Sequence, residues 1–203
     1  PYFSATKIEW LLNSGIQATD DIAFGTIDSW ILWKLTDGET FATDTTNASR
    51  TMLFDIKSLD WDSELLELFG VRVENLPVVF PSSGDFGITR NQAVLNSGIP
   101  ITGIAGDQQA SLFGQAAFSE GEAKNTYGTG SFILLNAGDH CPEPVDGLLT
   151  TLAWSLKDAS AHSATYALEG SVFSSGATIQ WLRDGLEIIN EASEIESLAL
   201  ECD

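Results

Sequence analysis

Asp107 closes an apolar run from Ile99 to Gly106 and is followed by two amides, Gln108 and Gln109. A carboxylate where a buried strand hands over to a helix stands at the edge of an α/β sheet at which ligands bind, and there it can take a proton from a bound hydroxyl. An aspartate at the same junction is equally suited to capping the following helix, and spacing alone leaves the two readings even. Gly128, Thr129 and Gly130 offer backbone N–H groups and a hydroxyl without side-chain bulk, a geometry able to wrap a phosphate. By itself the triplet reads first as a plain hairpin turn. Neither a P-loop lysine pattern nor a dinucleotide glycine fingerprint occurs, so any ATP is held in another way. Asn47, Ser49 and Arg50 form a polar cluster within reach of a ligand, with a loop that satisfies its own backbone as the default. His140 and His162 lack partners at ligand spacing and read as exposed loop residues. The six tryptophans lie mostly on apolar faces, which suggests core packing rather than a sugar-stacking platform.

The elements that would position these groups follow from periodicity. Ser4 or Thr6 can cap a short surface helix with Ile8, Leu11 and Leu12 at helical spacing, ending near Gly15. A second helix starts after Gly25 and Thr26, runs through Ile27, Trp30, Ile31 and Leu35, and stops at Asp37 and Gly38. Residues 43–54 read as a polar loop leading into a strand. A third helix covers Ser63 to Phe69 between an Asp62 cap and a Gly70 stop, and residues 77–87 are rich in turns. A buried strand is expected over Ile99 to Gly106, with a helix from Gln108 to Gly114. Strands follow at Lys124 to Tyr127, Ser131 to Asn136, Leu148 to Leu156 and Thr165 to Leu168. Helices are expected at Ala177 to Ile189 and Ser193 to Leu200. The whole is α/β, with a domain junction near Phe118 to Gly121.

Composition excludes several classes. A chain of 203 residues with 43% apolar content is a packed globular protein. The longest apolar runs fall far short of the about 20 residues needed to cross a bilayer, so no membrane insertion is expected. The first residues carry no secretory signal. Cys141 and Cys202 suggest neither a disulfide framework nor a metal site, in keeping with a reducing cytoplasm. With 29 acidic residues against 9 basic ones, and a net charge of −20, nucleic acid and anionic membranes are repelled. The acids at Asp20, Asp21, Asp37, Asp60, Asp62, Glu64 and Glu67 are scattered, as on a solvated surface. Such a surface suits an acidic cytosolic enzyme or, slightly better, a host with high intracellular salt that screens the self-repulsion. Equal stability at low ionic strength and in molar salt would remove the second option.

Read in order, the segments resemble the FGGY carbohydrate kinase family over nearly the whole chain. The resemblance is carried by Pro1 to Ser4 with Thr6 and Lys7, Phe24 to Asp28, Thr46 to Phe54, Leu59 to Asp62, Gly103 to Ala110, Ala123 to Gly130, Gly147 to Thr151, Ala167 to Gly170 and Ile179 to Asp184. The run from Asp107 to Gln109 and that from Asn47 to Met52 are similar to the members that act on glycerol, rather than on pentuloses or hexuloses. The resemblance implies an actin-like, ribonuclease-H-like fold in parts of two domains flanking a cleft: residues 1–118 ending the glycerol-binding domain, residues 119–203 beginning the nucleotide-binding one. It implies Asp107 as the catalytic base, with Tyr2, Gln108 and Phe132 around glycerol, and Thr129 and Gly130 on the ATP phosphates. Mg2+ accompanies the nucleotide, with no residue assigned to it. Glycerol and ATP are then the partners, in a homo-oligomer, dimer or tetramer. The family's N-terminal phosphate hairpin, the Arg-Glu pair and Trp of its glycerol site, and its later glycine-rich adenosine segments find no counterpart here. Ala5 stands where glycine is usual, and Ser131 where cysteine is frequent.

Overall fold

The computed structural model describes residues 2–91, 94–156 and 164–201, which leaves Pro1, His162 and Cys202 outside the description. The first half carries α1 (Ala5–Asn13), α2 (Ile27–Leu35), β1 (Ala42–Asp44), the single turn α3 (Thr45–Ala48), β2 (Phe54–Asp55), β3 (Asp60–Trp61), α4 (Ser63–Phe69), β4 (Val78–Phe80) and α5 (Asp107–Gly114). The second half is β5 (Ala123–Tyr127), β6 (Ser131–Gly138), β7 (Leu149–Ser155), β8 (Ala164–Val172), α6 (Gly176–Asp184) and α7 (Glu194–Leu200).

Local chemistry sets several of these limits. At α4 the Asp62 carboxylate accepts from the N–H groups of Glu64 and Leu65, and Gly70 closes the helix at φ 66°, a left-handed conformation open to glycine at little cost. In α3 the Asp44 carboxylate does the same for Thr46 and Asn47. β1 and β4 pair in parallel, and β2 and β3 form a small antiparallel ladder. The larger sheet is antiparallel with strand order β5-β6-β8-β7. On its face Leu112 of α5 shares a core with Leu134, Ala153, Trp154 and Ala167, so α5 is seated on this sheet although it precedes it in sequence. A separate core joins α1 and α4 through Ile8, Leu53 and Leu66.

Four expectations need correction. Residues 99–106 are not a buried strand. They run beside residues 82–89, with the N–H groups of Phe86 and Ile101 donating to Ile101 and Gly87 carbonyls. Only isolated bridges form at Gly103 and Pro100, because proline has no N–H to extend a ladder and glycine no side chain to pack. Residues 43–54 are not simply a loop, since β1 and α3 lie within them. The helix expected to reach Ile189 stops at Asp184, where Gly185 follows and Leu186 donates back to Trp181. Finally, the tryptophans are mostly not core: Trp10, Trp30, Trp33 and Trp181 are exposed, and Trp154 alone is buried. Their faces are amphipathic in sequence, but no described element covers them. The scattered acids behave as expected, and Asp20, Asp21, Asp37, Asp60, Glu64 and Glu67 are all exposed.

Candidate active site

Asp107 is the first residue of α5, and Gly106 rather than Asp107 occupies the capping position. Its carboxylate is exposed and, among the described residues, accepts only from groups beside it, the Gln108 N–H at 2.8 Å and the Gln108 Nε2 at 3.5 Å. The capping reading therefore gives way to an outward-facing carboxylate with lone pairs available to a ligand. What fixes it lies beneath. The Gly106 N–H donates to Thr46 Oγ1 at 2.8 Å, and the Thr46 hydroxyl donates to the Asp44 carboxylate. Asp44 is fully buried and also accepts from Asn47 Nδ2 at 2.8 Å and Ser82 Oγ at 2.6 Å. Thr45 and Ser155 join the knot through a hydroxyl contact at 2.7 Å. Burial pushes the Asp44 carboxyl above its usual range, against the pull of these donors. A Cβ at 106 would stand 2.6 Å from Gln109 Oε1, so the end of that side chain would have to give way.

The sheet supplies the opposite wall. Lys124 of β5, Leu134 of β6 and Glu169 of β8 are register partners, and so are Thr126, Phe132 and Ser171 one step along. Partners and alternate residues share a face, so these six side chains project from the face on which α5 lies. Phe132, half-buried, thus comes beside the Gln108 end of α5. Tyr2 reaches the same wall from the other end of the chain: its hydroxyl donates to Glu169 Oε1 at 3.3 Å and accepts from Arg50 at 3.0 Å. Arg50 pairs with Glu169 at 2.9 Å and lies over the rings of Tyr2 and Phe3. Burial raises the Tyr2 phenol, and the Glu169 charge adds to the effect.

Thr129 and Gly130 form the tip of the β5–β6 hairpin, as expected for a turn. The Gly128 and Thr129 carbonyls accept from the N–H groups of Ser175, Gly176 and Ala177, which ties the tip to the start of α6. A Cβ at Gly130 would meet the Val172 carbonyl oxygen at 2.6 Å, so the close approach of two backbones requires glycine there. At about 3.3 Å per residue the tip stands roughly 16 Å beyond Lys124.

The structure thus brings Tyr2, Asp107, Gln108 and Phe132 to one face, with Thr129 and Gly130 at its far end. The residue pattern of the FGGY family of carbohydrate kinases, N-terminal domain, matches residues 1–114. The chain belongs to the FGGY family of carbohydrate kinases. Across its whole length it is 52% identical to a glycerol kinase of Bdellovibrio bacteriovorus and covers 41% of that protein. Over 98% of the chain it is 54% identical to a glycerol kinase of Pseudothermotoga lettingae, covering 40% of it. The chain therefore spans about two fifths of the length of the curated relatives it matches. Among solved structures it resembles the Plasmodium falciparum glycerol kinase with ADP, at TM-score 0.88 and 38% identity over 98% of this chain and 40% of that one. A ligand-bound xylulose kinase of Lactobacillus acidophilus shares the fold, at TM-score 0.78 and 22% identity over 99% of this chain and 40% of that one. The α/β architecture is thus the actin-like ATPase fold of the FGGY kinases.

Three groups at this FGGY site had no assigned role in sequence. Lys124 is buried, and its ammonium donates to Gln108 Oε1, to Thr126 Oγ1 at 2.8 Å and to the Phe132 carbonyl at 3.3 Å. Glu169 is buried beneath Tyr2. Arg50 leaves its own loop to reach Glu169, whereas Asn47 donates locally to the Asp44 carboxylate and Ser49 to the Thr46 carbonyl. A charged residue inside an otherwise strand-like run, Glu169 after Ala167 and Leu168, was the available signal. His140 is exposed and pairs with Asp139. Among the described residues no three His, Cys, Asp or Glu side chains converge as a metal cage, and no helix is long and apolar enough to cross a membrane.

Burial pushes the Lys124 ammonium below the usual lysine range, with the Glu169 and Asp107 charges pulling it back up. A lysine that binds its proton less firmly when folded weakens the fold while charged, so stability rises with pH from the folded value up to the ordinary one of 10.5. Urea unfolding across that window is expected to show a rise that Lys124→Met lacks. Parallel curves for the two proteins would refute it.

Proposed function

We propose that the chain is part of an ATP-dependent glycerol kinase and contains its general base, Asp107. The observation that carries this reading is the exposed Asp107 carboxylate at the start of α5, with Gln108 beside it and Tyr2 and Phe132 on the facing wall. A hydroxyl held by Gln108 and Tyr2 can give its proton to Asp107 as its oxygen attacks the γ-phosphoryl group, and the same carboxylate keeps that oxygen in line. Phe132 supplies an apolar surface for the carbon skeleton. The identity of more than half of all positions with glycerol kinases supports glycerol over longer polyols.

ATP is assigned to the second half, with its phosphates at Thr129 and Gly130. Magnesium would neutralise charge on the transferred group and keep most of its shell as water and phosphate oxygen. The site suits that arrangement, because Glu169 is sealed under Arg50 while the Asp107 carboxylate is exposed. In the same reading residues 1–118 belong to the glycerol domain and 119–203 to the nucleotide domain, a division supported by the family match ending at residue 114. A cytoplasmic homo-oligomer, dimer or tetramer, completes the proposal.

The test is turnover by the full-length protein with glycerol, xylulose and gluconate in parallel. Glycerol should be the preferred acceptor; preference for either sugar substrate would assign the chain to a sibling activity. Gly130→Ala should raise the KM for ATP about tenfold, the equivalent of one charge-assisted hydrogen bond, and leave the KM for glycerol near its original value. An unchanged ATP KM would remove the hairpin from the nucleotide site.

A further inference from the structure

We propose that Lys124 is a positioning residue of the phosphoryl-transfer site, which fixes the Gln108 side-chain amide so that its N–H donors face the substrate; the inference rests on the kinase reading above. An ammonium has donors only, so the amide atom turned toward Lys124 must be the oxygen. The Gln108 Oε1 does accept from Lys124, and Nε2 is thereby directed to the other side, 3.5 Å from the Asp107 carboxylate. That contact is long, and a hydroxyl seated to one side of the pair can accept from the amide while it donates to the carboxylate. Without Lys124 the amide can turn over, which would set its oxygen against Asp107 and leave the substrate oxygen without its donor.

The lysine is itself held rigidly. It is 4% exposed, and its other partners, Thr126 Oγ1 and the Phe132 carbonyl, belong to β5 and to β6, the strand that carries Phe132. Its charge is attracted by those of both Glu169 and Asp107. Burying one of only nine basic residues in a chain of net charge −20 carries a desolvation cost that simple packing does not require. A purely structural alternative is that Lys124 balances buried Glu169, whose Oε2 has no hydrogen-bond partner.

The two accounts separate in a double-mutant cycle on the full-length enzyme. Lys124→Met should raise the glycerol KM about tenfold, the worth of one hydrogen bond to a charged group, with a smaller change in kcat. In a Gln108→Ala background the same substitution should add almost nothing, because the amide it orients is gone. An equal effect in both backgrounds, or no effect on KM, overturns the proposal in favour of charge balance. If Lys124→Met does not fold, Lys124→Arg carries the same comparison, since it keeps a donor but cannot occupy the same position. The Gln108 side-chain amide resonances, observed in labelled full-length protein, give a second reading that does not depend on turnover. They should move in Lys124→Met, and unmoved resonances overturn the orientation. A wild-type protein inert on glycerol would instead remove the kinase reading, leaving the resonances to decide the amide.

Discussion

Asp107→Asn is expected to lower the kcat of the full-length enzyme by about 10²- to 10⁴-fold, the usual worth of general-base assistance, with the KM for glycerol changed only a few-fold. The substitution is nearly isosteric, and the amide oxygen can still accept from the Gln108 N–H that the carboxylate accepts from now. What is lost is the capacity to take a proton from the attacking hydroxyl. Asp107 faces outward, and Thr46 secures Gly106 from below, so the exchange should leave the fold intact. A variant with a loss mainly in KM would make Asp107 a binding group only. Full activity would move the base to another residue.

Asp44→Ala should be the most damaging single change to the fold, costing about 3 kcal/mol or more in urea unfolding. The carboxylate is wholly buried and serves Thr46, Asn47 and Ser82 together. Truncation strands all of these donors away from water and removes the cap of α3. Asp44→Asn, which keeps one acceptor oxygen, should lose clearly less. Because Thr46 passes the constraint on to Gly106, activity should fall in the alanine variant even under conditions where it remains folded. A loss below about 1 kcal/mol, that of an ordinary cap, would mean the knot tolerates water in place of the carboxylate.

These two residues also mark what could be read in the sequence. Asp107 stood out because it is a lone carboxylate between an apolar run and two amides, and the limits of α4 were plain because Asp62 and Gly70 act through their own neighbours. Asp44 was not legible. Its local bonds to Thr46 and Asn47 are those of any capping aspartate, while the partners that make it a knot, Ser82 and, through Thr46, Gly106, are distant in sequence. Lys124 was missed for the same reason, and Arg50, singled out only as part of a polar loop cluster, showed its partner only in the fold, since each acts through a residue on another element. The run at 99–106 failed in the opposite sense, as apolar content suggested a buried strand where Pro100 and Gly103 leave only isolated pairing. Residue type and spacing thus singled out Asp107, the family resemblance named Tyr2, Gln108 and Phe132 beside it, and the groups that hold these side chains became visible only in three dimensions.

The wall formed by Tyr2, Arg50 and Glu169 has a consequence for the order of folding. Tyr2 and Glu169 are 167 residues apart, and Arg50 and Glu169 are 119 apart, so these contacts close two of the longest loops in the chain. Closure of such loops is entropically costly and slow compared with local turns. The hairpin with Thr129 and Gly130 can form early from near neighbours, whereas the wall must wait until β8 has been added to the sheet. The same order in reverse makes the wall the first part to open: hydrogen exchange at residues 2–5 should run ahead of exchange in β6, and the Tyr2 end should loosen while the hairpin still holds.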